Sequence, residues 1–267
     1  LMNVPNIRET SLDDGFIEAI TPSSAPRQLA SGAIVHLQVH NIGGLRRIQK
    51  WETADIAILV FVSHHDKIVG QKIGLLQSKR LYPANGDVDD ADALSFMYGL
   101  NGMLSRDDRS PIGGLFRSYQ FDEDCVYGAM TAGDEQISSI DHFNAQFGEA
   151  IYYLFYNPNK LPASVSYPLN RRINITKPAL GCRVYQASEV HAACEQFNVG
   201  QHPTIGVIES QSRMSNWRIE TWVADLLLRC KVGQQFDESR NDMIQRLVRR
   251  RSGPIGAAIS VSIVLPG

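Results

Sequence analysis

The fold is decided by the run Asp55-Ile-Ala-Ile-Leu-Val-Phe-Val62, then Ser63-His-His-Asp-Lys67, then Lys72-Ile-Gly-Leu-Leu-Gln-Ser-Lys79. The first run is continuously apolar after Asp55, which is typical of a strand that is buried on both faces. The polar group that follows predicts a turn, and the third run predicts the returning strand. We therefore expect a buried β-hairpin with a polar tip.

Three polar residues are expected at one end of this hairpin. Asp55 opens the first strand, and Gln77 and Lys79 lie two positions apart on the second. Gln77 and Lys79 therefore share one face of the sheet, while Ser78 points to the other. An unsatisfied polar group at such a position costs about 1–3 kcal/mol. A functional site would explain that cost.

The order Asp55, strand, turn, strand, Gln77-Ser-Lys-Arg80 resembles the PD-(D/E)xK nuclease superfamily. Its Gln-Ser-Lys form is similar to the QxK variant of Mrr-like restriction endonucleases. The resemblance covers roughly residues 8–82, extends at most to residue 156, and does not reach the second half. It implies a Mg²⁺- or Mn²⁺-dependent endonuclease that cuts double-stranded DNA, in restriction or anti-phage defence.

The resemblance also implies a role for each residue of the motif. Asp55, the side-chain oxygen of Gln77 and the main-chain carbonyl of Ser78 would hold the metal, while Lys79 would handle water and charge. A preceding helix supplies a further glutamate in this superfamily, and Glu18 is the preferred match, with Glu9 and Glu52 as lesser candidates. The sequence departs from the family pattern in two places, since Ala54 replaces proline and Gln77 replaces a carboxylate.

The rest of the chain has a mixed pattern, and we expect an α/β protein. A restriction-endonuclease-like core, with a mixed central sheet flanked by helices, is assigned to residues 1–160. An additional α/β region, which can pack on the same core, is assigned to residues 161–267. In the first half we predict a helix that follows Thr10 or Ser11 and ends before Pro22, a strand at 33–40 and a helix at 140–156. A boundary or long connection is expected near 158–178. After it we predict a strand at 181–186, a helix at 188–197, a strand near 204–209, a strand or helix at 217–230, a helix at 237–250 and a strand at 255–265.

The charge balance bears on the DNA partner. The 26 Lys and Arg residues against 28 Asp and Glu residues give a net charge of −2, so a polyanion has to be met by a local basic patch. Arg249, Arg250 and Arg251 form the densest cluster, near Arg246, and Arg80 follows the hairpin. Either these arginines contact phosphate, or the cluster is a solvated helix end.

The cysteines and the apolar runs bear on the compartment. Four cysteines without a CxxC pair predict a reducing compartment. No apolar run is long enough to span a membrane and the N-terminus lacks a signal-peptide pattern, so we expect a cytoplasmic protein without a membrane partner. Leu1 before Met2 is typical of a cloning remnant, and the chain is expected to be one domain of a longer protein. A homo-oligomer and a separate sensor domain or subunit both remain open.

Two further groups of metal-binding residue types have structural interpretations. Cys182, His191, Cys194 and His202 have loosely zinc-like but irregular spacing, which favours buried cysteines and surface histidines. The run 64–66 is expected to be a solvated turn. Two alternatives to a nuclease stay open: a non-catalytic nucleic-acid or protein interaction module on a decayed nuclease fold, and a different hydrolase that uses the His and Cys residues.

Overall fold

The structure is a computed structural model that describes residues 1–5, 7–42, 54–85, 117–167, 179–248 and 255–267. The strands are β1 (Arg27–Gln28), β2 (Ile34–Asn41), β3 (Ile56–His64), β4 (Lys67–Arg80), β5 (Arg117–Phe121), β6 (Ile151–Tyr156), β7 (Ala163–Tyr167), β8 (Arg183–Gln186), β9 (Trp217–Arg218), β10 (Gln234–Gln235) and β11 (Ala257–Val264). The α-helices are α1 (Glu9–Ile20), α2 (Glu135–Phe147), α3 (Ala187–Cys194), α4 (Ile205–Gln211), α5 (Ile219–Thr221) and α6 (Asn241–Val248). Helix α5 continues into a π-helical segment, Trp222–Leu227, and short 3₁₀ turns cover Thr21–Ser23 and Glu238–Arg240.

One mixed sheet organises the chain. Its strand order is β1-β2-β11-β3-β4-β6-β8-β9, and β10 also pairs with β4. Strand β11 is parallel to β3 and β6 is parallel to β4, whereas the other pairs in this sheet are antiparallel. The predicted mixed α/β class is confirmed. Because β8 to β11 lie in the same sheet as β1 to β4 and β6, segments from both sides of residue 160 share one sheet.

The predicted β3–β4 hairpin is confirmed, and its second strand is longer than predicted. Strand β4 begins at Lys67, directly after a two-residue turn. His65 and Asp66 have φ values of 47° and 61°, which is the left-handed conformation of a type I′ hairpin turn. The register pairs Ile56 with Leu76. Asp55 is therefore placed beside the Gln77–Arg80 end of β4.

Both faces of the sheet are covered. Leu75 belongs to a buried cluster with residues of α2, α3 and α4, and Leu76 belongs to a second cluster with α1 and the π-helical segment. Adjacent residues of β4 therefore face opposite layers, as the period of a strand requires. By the same alternation, the side chain of Ser78 leaves the strand on the side of Leu76, and the side chains of Gln77 and Lys79 leave it on the side of Leu75.

The helix predicted at 140–156 is wrong beyond residue 147. Helix α2 ends at Phe147, the following Gly148 has a φ of 97°, and β6 comes next with all six residues buried. The run Ile-Tyr-Tyr-Leu-Phe-Tyr is aromatic and apolar on every position, so its spacing fits a helix and a fully buried strand equally well. Its parallel pairing with β4 makes it a strand.

The strand predicted near 204–209 is also wrong, because α4 lies there. Thr204 caps this helix by accepting a hydrogen bond from the amide of Val207. In the segment predicted at 217–230 as strand or helix, a two-residue strand precedes α5 and the π-helical turns. The other predicted strands and helices are present with bounds shifted by a few residues. The long connection predicted at 158–178 contains β7, which pairs with β5 in a separate two-stranded sheet.

No helix in the described ranges is long and apolar enough to cross a membrane.

Candidate functional site

Asp55 lies at the point where β3 begins, and its position is set by the hairpin register. Its amide donates to the carbonyl of Leu76 at 2.8 Å. Its Oδ2 accepts three hydrogen bonds: from Nε2 of Gln77 at 2.6 Å, from the amide of Ser78 at 2.8 Å and from Oγ of Ser78 at 2.9 Å. The structure thus brings the motif residues Asp55, Gln77 and Ser78 into direct contact.

Asp13 is a site residue that the sequence analysis missed. It lies on α1, is 4% exposed and accepts a 2.8 Å hydrogen bond from the hydroxyl of Tyr156 on β6. Its Oδ2 lies 2.9 Å from Oγ of Ser78. The sequence could have indicated this role only if the face of α1 that packs on the sheet had been known, because an aspartate on a buried helix face is unusual.

Ser78 connects Asp13 to Asp55. Its Oγ lies 2.9 Å from a carboxylate oxygen of each residue, yet a hydroxyl has only one proton to donate. Burial, and then the negative charge of Asp55, raise the pKa of Asp13 to about 7. If Asp13 is protonated, it donates to Oγ of Ser78, and Ser78 in turn donates to Asp55. Both contacts of the Ser78 hydroxyl are then hydrogen bonds.

Glu9 brings a second carboxyl group from α1 to the same strand end. Its Oε2 accepts a 2.9 Å hydrogen bond from the amide of Arg80, and its Oε1 lies 4.0 Å from Nζ of Lys79. Burial raises the pKa of Glu9 to about 7, although the nearby ammonium group of Lys79 opposes the shift. Lys79, at 2% exposure, therefore meets a carboxyl group that is partly protonated near neutrality.

The side-chain amide of Gln77 has one orientation in this cluster. Its nitrogen faces Oδ2 of Asp55, because a carboxylate accepts and does not donate. Its Oε1 is buried and has no hydrogen-bond partner among the residues that the structure describes. A buried oxygen of this kind costs about 1–3 kcal/mol and is a ready ligand for a hard cation.

The donor types of this cluster fit Mg²⁺ or Mn²⁺. They are the carboxyl groups of Asp55 and Glu9, the main-chain carbonyl of Ser78 and Oε1 of Gln77, all of which are oxygen ligands. Among the described residues, however, no three His, Cys, Asp or Glu side chains are already arranged as a metal-binding group. The fit therefore rests on ligand chemistry and on the unpaired Oε1.

The remaining predicted site residues are placed differently. Glu18 is exposed on α1, about two and a half turns after Glu9, and so faces away from the sheet. Arg80 is 2% exposed; its guanidinium donates to the carbonyls of Ile7 and Pro5 and stacks 4.2 Å from the ring of Tyr82. Arg80 thus packs against the N-terminal segment. Glu52, Arg249, Arg250 and Arg251 lie outside the described residues.

The two histidines of the zinc-like group make structural contacts, and of its cysteines Cys194 is buried and Cys182 partly buried. His191 is hydrogen bonded between Asp141 at 2.7 Å and the hydroxyl of Tyr153 at 3.0 Å, and His202 contacts the carbonyl of Met130 at 3.0 Å. His191 is thus buried in a Tyr–His–Asp chain, whereas the sequence predicted a surface histidine.

Comparison with known proteins adds no evidence on function, so the functional assignment depends on the contacts around Asp55. We find no protein-family model, curated protein or solved structure that matches the chain.

Proposed function

We propose that the protein is a metal-dependent endonuclease that hydrolyses phosphodiester bonds in double-stranded DNA. The observation that carries the proposal is the contact of Asp55, Gln77 and Ser78, with Lys79 beside them, at the end of one hairpin, joined by two carboxyl groups from the preceding helix. Restriction or anti-phage defence is the setting that the family resemblance implies.

The glutamate expected from the preceding helix is best assigned to Glu9 in this proposal. Glu18 points away from the sheet, whereas Glu9 reaches the amide of Arg80 and lies beside Lys79. Asp13 adds a carboxyl group that the resemblance does not require. Both residues come from the first two turns of α1, which packs on the sheet face that carries Ser78.

Each side chain has a role in this chemistry. Asp55, Oε1 of Gln77, the carbonyl of Ser78 and Glu9 would hold Mg²⁺ or Mn²⁺, which polarises the phosphate and lowers the pKa of bound water. Lys79 supplies a positive charge toward the charge that develops on the phosphate oxygens. Asp13 and Ser78 position Asp55 through the hydrogen bonds described above.

Plasmid nicking tests this proposal. With Mg²⁺ or Mn²⁺, wild-type protein should relax supercoiled DNA, and Lys79→Met should lower the rate at least about a hundredfold while keeping the apolar stem that fills the core. Lys67→Met, at the exposed tip of the same hairpin, is the matched control and should cleave at the wild-type rate. Undiminished cleavage by Lys79→Met rules out the proposed site.

A second experiment addresses the metal without relying on cleavage. Gln77→Glu replaces the amide that donates to Asp55 with a carboxylate across a distance of 2.6 Å. Repulsion between the two carboxylates should lower the urea midpoint of this variant, and Mg²⁺ should restore it by more than it raises the wild-type midpoint. Gln71→Glu, on the same strand and away from Asp55, should not respond to Mg²⁺. If Mg²⁺ leaves Gln77→Glu unchanged, Gln77 is not a metal ligand.

A second candidate function is a non-catalytic interaction module. The observation that favours it is burial: Gln77 and Lys79 are 1% and 2% exposed, and the polar groups around them largely satisfy one another. This candidate predicts no cleavage with either metal, no Mg²⁺ effect on Gln77→Glu, and unchanged DNA affinity for Lys79→Met in an anisotropy titration.

A further inference from the structure

A cavity of about 230 Å³ lies at the opposite end of β4 from Asp55, between the hairpin and the π-helical segment. Its walls are mostly apolar and include Val60 and Val62 of β3, Leu227 at the end of the π-helical segment, and Phe236 after β10. None of the described residues that line it is acidic. The cavity is about six residues, or roughly 20 Å, along β4 from Ser78, so it is separate from the proposed nuclease site.

Lys72 is the positive group of this cavity. It pairs with Val60 across the hairpin, lines the cavity and is only 5% exposed. Within the described ranges, no hydrogen bond or ion pair to its ammonium group is found. Burial lowers its pKa. Lys72 thus places a positive charge at the wall of a mostly apolar cavity with no acidic residue in the described lining, so this charge is available to an anion.

The backbone is closely packed around Lys72. Gly233 packs against β4 so closely that a Cβ atom there would lie 2.8 Å from the carbonyl of Ile73 and 3.4 Å from Cε of Lys72. Gly74 likewise gives room to Trp222, since a Cβ atom at position 74 would lie 2.6 Å from the indole ring. The π-helical turn that starts at Trp222 is a conformation that occurs frequently at functional sites.

We propose that this cavity binds a small organic anion, a carboxylate or a phosphate on an apolar body of about the size of a benzene ring, with Lys72 as its counter-charge. The size follows from the volume, because an apolar cavity of about 150 Å³ is enough to hold benzene. The charge follows from Lys72, the one lysine or arginine in the described lining, and from the absence of acidic residues there. The proposal does not depend on nuclease activity.

Benzoate, phenyl phosphate and neutral benzamide are suitable probes, titrated into wild-type protein by heteronuclear NMR. We expect benzoate or phenyl phosphate to shift the amide signals of Val62, Gly70 and Leu228 saturably, in the millimolar range expected for ligands of this size. Benzamide should bind about ten- to a hundredfold more weakly, because a hydrogen bond to a charged group is lost. The comparison of benzoate with phenyl phosphate distinguishes the two anions.

Two variants complete the test. Lys72→Met should weaken binding of the preferred anion about ten- to a hundredfold and leave benzamide within about twofold, while Lys67→Met should change neither. Gly70→Val should block all three probes by filling the cavity, and its Cβ would meet Val62 at an ordinary 3.8 Å. The proposal is overturned if no probe binds saturably, if benzamide binds as well as the anions, or if Lys72→Met binds the anion with wild-type affinity.

Discussion

The pH dependence of folding is the most direct test of the Asp13–Ser78–Asp55 chain. Asp13 has a folded-state pKa of about 7 against an ordinary value of 3.8. The folded protein therefore holds a proton on Asp13 that the unfolded chain has released, between about pH 4 and pH 7. Stability from this group is fully present below about pH 4 and is lost as the pH rises through about 7.

Asp13→Asn isolates this contribution. Asn has nearly the shape of the protonated acid, since its Oδ1 can accept from Tyr156 and its Nδ2 can donate to Ser78. Between pH 5 and pH 7 the wild-type protein loses stability from this group at about 1.4 kcal/mol per pH unit, and Asp13→Asn does not. We therefore expect the advantage of Asp13→Asn over wild type to grow by about 3 kcal/mol between pH 5 and pH 8. Urea unfolding at several pH values measures it.

A matched control is available on the same helix. Asp14 is exposed, and Asp14→Asn should give a pH profile parallel to that of wild type. Glu9→Gln should change the profile in the same direction as Asp13→Asn, because the pKa of Glu9 is also raised. If wild type and Asp13→Asn stay within about 0.5 kcal/mol of a constant difference from pH 5 to pH 8, Asp13 is not protonated in the folded protein and the reasoning fails.

Two further predictions concern stability. Tyr156→Phe removes the 2.8 Å hydrogen bond to Asp13 and should lower the free energy of unfolding by about 1–3 kcal/mol. The loss should be larger at pH 8 than at pH 5, because this bond favours the ionised carboxylate, and equal losses at both pH values would contradict the prediction. Gly74→Ala should lower the free energy of unfolding by about 1–3 kcal/mol through its clash with Trp222, whereas Gly70→Ala, whose nearest contact is 3.8 Å, should change it by well under 1 kcal/mol. Urea titrations of the two alanine variants test this difference, and similar losses would mean that the contact between Gly74 and Trp222 is not rigid.

The sequence by itself was sufficient for contacts that depend on one hairpin. The apolar run 56–62, the polar turn and the returning strand determine a register, and the register places Asp55 beside Gln77. Strand alternation likewise separates Ser78 from its two neighbours. These contacts are predictable because they are local: one tight turn and a period of two determine them.

Spacing did not distinguish a helix from a buried strand over 151–156. A run that is apolar at every position fits both the helical and the strand period. The choice between helix and strand therefore depends on which elements lie on either side of the run. Here β4 lies on one side and β8 on the other. The same applies to 204–209, where the cap at Thr204 and the packing of α4 outweighed the β-branched residues.

Only the tertiary structure decided which acidic groups join Asp55 at the Gln77–Arg80 end of β4. Glu9, Asp13 and Glu18 all lie on α1, and the sequence does not say which side of that helix rests on the sheet. Its docking against the face that carries Ser78 selects Glu9 and Asp13, and the parallel neighbour β6 adds Tyr156. The insertion of β11 between β2 and β3 is equally non-local. Such contacts depend on which surfaces pack together across long stretches of chain, and burial at those surfaces then sets the charge state of the carboxyl groups.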